Sequence, residues 1–148
     1  MKGSPRNMTT PSSADSPPAV SIQQPWAELI LQGKKSIEVR SWNPTYRGPV
    51  WLHTGLKVNE ELDQQFGLSG LYRGGFVGRF QLANIIRFDV DRWSMWRSRH
   101  LVEGPMIGEL YGWMIREPIR MRPIPSKGKL GLFHPEPEVQ HLLDSSID

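Results

Sequence analysis

Lys35, Glu38 and Arg40 set an amine, a carboxylate and a guanidinium within one short segment, a grouping suited to gripping a phosphate or moving a proton. On an extended strand Glu38 and Arg40 point the same way, about 6.6 Å apart along the chain, so the plainest reading is an ion pair. An exposed pair contributes only about 0–1 kcal/mol, too little to account for this concentration of charge by stability alone. The sharper reading is a cleft in which Lys35 and Arg40 meet phosphate while Glu38 orients them or accepts from a base or sugar. Trp42 follows on the same strand face, and a ring there would supply a stacking surface worth about 1–3 kcal/mol per base. Gln24 and Trp26 lie just upstream and complete the polar and aromatic set. Most of the six tryptophans are expected in the core, because a small domain needs their bulk.

Two further places carry candidate chemistry. His53 ends an apolar run and begins the segment HTGLK, where a histidine either makes a structural hydrogen bond or faces a ligand. Downstream, Arg120, Arg122, Lys127 and Lys129 surround two glycines in RMRPIPSKGKLGLF; cations interleaved with glycine let backbone approach phosphate closely, and Lys127 is taken as a contact.

These residues must be held by short elements. Pro25 suits a first helical position, Trp26, Leu29 and Ile30 recur at helical spacing, and Gly33 is placed to end the helix left-handed. From Ser36 to Trp42 the residues alternate, Ile37 and Val39 against Glu38 and Arg40, which predicts a half-buried strand. Pro49 to His53 predicts a second strand, Val58 to Phe66 a helix closed by Gly67, and Phe76 to Phe88 a long strand bulged at Gly78 or Asn84. Residues 89–108 predict a helix or ordered insertion. Tyr111 to Met121 reads as a strand that Pro118 should break or push to an edge, and residues 123–133 as a closing turn and strand. Four or five strands with two or three short helices predict an α+β, mainly β, small barrel.

Composition bounds the function. With 148 residues and no cysteine, one domain in a reducing compartment is expected, without disulfides or zinc-thiolate sites. There is no phosphate-binding glycine loop, and the four histidines lack metal-ligand spacing, so no cofactor or metal is expected. No apolar run reaches the roughly 18 residues of a membrane helix, which predicts a soluble, cytoplasmic protein. Residues 1–19 and 134–148 are expected to be a disordered leader and a tail holding at most one helical turn, around a domain at 20–133. The tails hold two of the 18 Lys/Arg and five of the 15 Asp/Glu, leaving residues 21–132 with 16 against 10. That basic excess favours an anionic partner, nucleic acid first.

Gly33, Lys35, Glu38 and Arg40 reproduce the G-x-K-x-x-E-x-R signature of ASCH domains. SIQQPWA before it and Ser41-Trp42 after it resemble the branch found in a human transcriptional coactivator, and Tyr111-Gly112-Trp113 with KGKLGLF is similar to the family's closing part. The resemblance spans about Val20 to Phe133. It implies a PUA-like β-barrel flanked by short helices, with a nucleic-acid cleft, RNA favoured over DNA, lined by Lys35, Glu38 and Arg40. It also implies an alternative, since a bacterial branch hydrolyses the amide of N4-acetylcytidine and other members are associated with ribonuclease activity. In that hydrolytic branch a catalytic threonine stands where this chain has Glu38. Lys35 would then act as activated amine or base and Glu38 as its acid–base partner. A third expectation is a protein partner at the tryptophan-rich segment 92–100. A monomer is expected.

Overall fold

The computed structural model describes residues 16–146. Its frame is one mixed five-stranded sheet in the order β1-β3-β4-β5-β2, made of β1 (Ala19–Ser21), β2 (Ile37–Arg40), β3 (Gly48–Thr54), β4 (Gly75–Arg87) and β5 (Tyr111–Pro125). β1 runs parallel to β3, and the other neighbours are antiparallel. The long β4–β5 pair shifts register three times, and bulges of this kind bend and twist a strand pair, which curls the sheet. β1 and β2 remain edges, so the α+β, mainly β, barrel expected from sequence is a half-barrel.

Period-two alternation divides the apolar residues between the two faces. Val20, Val50, Leu52, Val77 and Phe80 pack on one face beneath α1 (Trp26–Leu31), which adds Ala27 and Ile30. Ala19, Trp51, Phe76 and Met121 pack on the other with Phe133 and Leu143. Leu143 belongs to α5 (Pro137–Ser145), a helix of nine residues. The tail is therefore corrected: two prolines lead into a docked helix, because Pro137 sits where a first-turn N–H is not needed, and Val139 and Leu143 share a face. The leader is corrected at its end too, since Ala19 is buried in β1 and exchanges both backbone hydrogen bonds with Phe133. The expectation of disorder for residues 1–15 lies outside the described residues.

A third cluster joins Ile37 to Phe88 and Trp93 under α3 (Val90–Met95) and α4 (Arg97–His100), the helical insertion expected at 89–108. Asn59 caps α2 (Glu60–Gln65) by accepting from the Leu62 N–H at 3.0 Å. Pro118 does not break β5, and it lies past Met114, the last β5 residue in the β2 ladder, so β5 keeps β4 on one side and has an open edge on the other at this point, as expected. Glu117 takes a left-handed φ of 51° beside a register shift, so the proline falls at a bulge where the ladder needs no N–H.

Candidate nucleic-acid interface

Gly33 ends α1 at φ 78°, as its placement predicts, and the turn brings Lys34 and Lys35 N–H groups back onto the Leu29 carbonyl at 3.0 and 3.1 Å. This reversal drives the Lys35 side chain inward. It is 1% exposed; its Nζ donates to the His100 carbonyl, sits 4.5 Å over the Trp26 ring and lies 3.7 Å from Glu38 Oε1. Burial pushes its pKa below the usual lysine range, opposed by the Glu38 charge. Glu38 is buried as well, and its other oxygen accepts from Arg40 Nη1 at 3.1 Å. β2 is therefore covered on both faces at Ile37–Glu38, rather than half-buried, because the Lys35–Glu38 pair supplies a neutralised polar filling.

Arg40, partly exposed at the far end of this chain of charges, lines a cavity of about 560 Å³. Lys57, on the turn after β3, and Lys129, on the segment before Phe133, line it too, and no carboxylate does. Lys129 Nζ lies 3.3 Å from Glu136 Oε1 at the surface, a pair that water screens and a phosphate can displace. Leu56 and Leu130 add apolar lining, 77% and 98% exposed.

His53 also lines the cavity, with both ring nitrogens engaged. Nε2 is 2.8 Å from the Ser126 carbonyl, which can only accept, so Nε2 carries the proton and Nδ1 accepts from the Ser21 hydroxyl at 2.9 Å. Burial pushes its pKa below the usual histidine value, against the pull of the Ser126 carbonyl, and leaves the ring neutral at pH 7.

The other expected site residues lie elsewhere. Gln24 is buried as a brace, donating to the Tyr72 carbonyl at 3.0 Å and accepting from the Glu28 N–H at 2.9 Å. Trp42 meets Trp113 edge-on at 4.9 Å and is packed against the core rather than brought to the cavity. Trp26 borders an adjoining groove that also carries Glu60 and Glu61, which oppose an anion. Lys127 is exposed next to the cavity-lining Gly128. Arg120 is held by a bidentate pair with Glu28, both bonds 2.8 Å, and so fastens β5 to α1. Sequence reasoning missed Ser21, Lys57 and Leu56 as cavity residues. Ser21 is positioned by a strand of three residues, too short to show alternation.

A curled mixed five-stranded sheet with short helices at its faces is the architecture of ASCH domains. The chain belongs to the ASCH domain family, which it matches over residues 20–125. It is similar to activating signal cointegrator 1 from Homo sapiens and from Mus musculus, each 46% identical over 33 residues. That match covers 22% of this chain and spans 6% of the length of these relatives. Its fold is that of ASCH from Zymomonas mobilis, with a TM-score of 0.66, 17% identity and coverage of 88% of this chain and 96% of that one. Two single-substitution variants of the same bacterial protein superpose with a TM-score of 0.65, one at 17% and one at 18% identity, each covering 88% of this chain and 99% and 96% of theirs.

Proposed function

We propose that this ASCH domain binds single-stranded nucleic acid, RNA in preference to DNA, with one nucleotide seated in the cavity bordered by Arg40, Lys57 and Lys129. The observation that carries this reading is three cations lining one concave site without a lining carboxylate. A cavity of about 560 Å³ suits a nucleotide and not a duplex, and single-stranded RNA offers unstacked bases to such a site. Family membership and the basic excess of residues 21–132 point the same way. Arg40 bonds phosphate while Glu38 holds its guanidinium, and Lys35, buried behind them, acts through Glu38. Lys127 extends the cationic surface beside the cavity.

Fluorescence polarisation of short RNA and DNA over a salt series tests this. Single strands lose about 0.7 log units of affinity per log unit of salt for each phosphate neutralised, so three contacts give a slope near −2. Arg40→Ala, Lys57→Ala and Lys129→Ala should each reduce that slope by about 0.7. A slope unchanged in all three variants, or no binding at low salt, overturns the reading.

The amidase alternative gains nothing from Lys35, which is 1% exposed and whose amine is occupied by Trp26, Glu38 and the His100 carbonyl.

A further inference from the structure

We propose that Ser21 and His53 form a nucleophile–base pair that makes the same cavity a hydrolytic site for an anionic acyl ester. The inference shares its cavity with the nucleic-acid reading and extends it to a second activity.

Three features separate this pair from an ordinary structural link. Ser21 and His53 are register partners in the parallel β1–β3 pairing, so the sheet itself sets their separation, and the hydroxyl donates to Nδ1 at 2.9 Å. The imidazole is oriented from behind: Nε2–H is fixed on the Ser126 carbonyl, and the Phe76 and Phe133 rings stand edge-on at 5.1 and 6.1 Å. A hydroxyl with an oriented base beyond it is the arrangement by which serine becomes a nucleophile. Access is kept open by glycine. A Cβ on Gly128 would lie 2.6 Å from His53 Cε1 and 3.3 Å from Ser21 Oγ, and one on Gly55 would lie 3.9 Å from the same hydroxyl. Backbone thus approaches the pair closely while Ser21 still lines the cavity. A purely structural Ser–His link has no need of a cavity beside its hydroxyl.

The lining selects the substrate class. Arg40 from β2, Lys57 from the turn after β3 and Lys129 from the closing segment favour an anionic ester and stabilise negative charge developing on its carbonyl oxygen. They are the charged groups sharing the cavity with His53; its other neighbours are the Ser21 hydroxyl, the Ser126 carbonyl and the two phenylalanine rings.

The step balances without a co-reactant other than water. Ser21 Oγ bonds the acyl carbon as its proton passes to His53 Nδ1, and the carbon–oxygen bond to the leaving alcohol breaks as Nδ1 returns that proton to it. Water then loses a proton to Nδ1 and attacks the acyl-serine; Ser21 Oγ leaves and takes the proton back. Ester and water become acid and alcohol.

The whole protein, without nucleic acid, is treated with a fluorophosphonate probe, which phosphonylates an activated serine and releases fluoride. Peptide mass spectrometry locates the label, and p-nitrophenyl acetate turnover is followed in parallel. The expected result is labelling at Ser21, absent in Ser21→Ala and slowed about a hundredfold in His53→Gln, the low end of what a general base supplies. Labelling should fall as pH is lowered below neutrality, as the imidazole takes up a proton, and level off above it. Because His53→Gln disturbs two hydrogen bonds that tie β3 to Ser21 and Ser126, the pH profile of the unaltered protein decides independently of folding. No label on Ser21, or a rate flat from pH 5 to 8, overturns the proposal. Labelling in a protein that fails to bind RNA leaves this proposal standing and the nucleic-acid reading fallen; RNA binding without labelling does the reverse.

Discussion

Lys35 and Arg40 stand five residues apart in one charged segment and do different work. Lys35 lies under the surface, where its cation is needed by Glu38 and its N–H bonds by the His100 carbonyl. Lys35→Ala should therefore cost about 3 kcal/mol of unfolding free energy, at the low end for breaking a buried pair because Arg40 still reaches Glu38 at 3.1 Å. Its salt slope for RNA should equal that of the parent, because no phosphate reaches the amine. Urea unfolding and the polarisation assay read the two quantities separately, and a Lys35→Ala protein as stable as the parent would remove the structural role given to this lysine. Lys35, Glu38 and Arg40 were legible as a charged cluster from their types and spacing. Their division into one buried pair and one exposed guanidinium was not, because the Gly33 turn that swings Lys35 inward also needs α4 to bring the His100 carbonyl from a distant part of the chain.

The elements that sequence reasoning recovered are those with a long periodic signal or a glycine stop. α1, β3, β4 and α2 all formed where expected, and β4 shifts register beside both positions considered for a bulge, Gly78 and Asn84, and once more between Arg79 and Gln81. The elements it missed draw their stability from partners far along the chain. β1 has only three residues and is held by β3 and Phe133, while α5 has little apolar surface until Leu143 meets Trp51, Phe76 and Met121. Tertiary packing makes such segments regular when propensity alone does not. Leu143→Ala should accordingly cost about 3 kcal/mol by leaving a cavity under α5, whereas Leu142→Ala, on the exposed side, should cost a few tenths. Equal midpoints for the two variants in a denaturant titration would show that α5 does not anchor the sheet. Pro118 carries a related lesson. A proline inside a strand pattern argues against that strand unless a bulge absorbs it, and the left-handed Glu117 is the bulge that sequence reasoning lacked.

At the scale of the molecule, the sheet acts as a divider. One face and α1 form the larger core, and the opposite face and α5 form the smaller one. The cavity opens where β1, the end of β3 and the closing segment 126–132 meet, so residues from the first and last parts of the described chain form its wall. Among the described residues, no helix is long and apolar enough to cross a membrane.

Leu56 and Leu130 stand at that wall with most of their surface in water. An occupant that enters among the cations covers these two side chains as well. Binding should then carry a negative heat-capacity change, about 0.45 cal/mol/K for each Å² of apolar surface removed from water, alongside the salt dependence of the charged contacts. Calorimetry of RNA binding at several temperatures should show that change, and it should shrink in Leu56→Ser with Leu130→Ser while the salt slope holds. A heat capacity unaffected by the double substitution would mean that the ligand stays at the cationic rim and leaves both leucines wet.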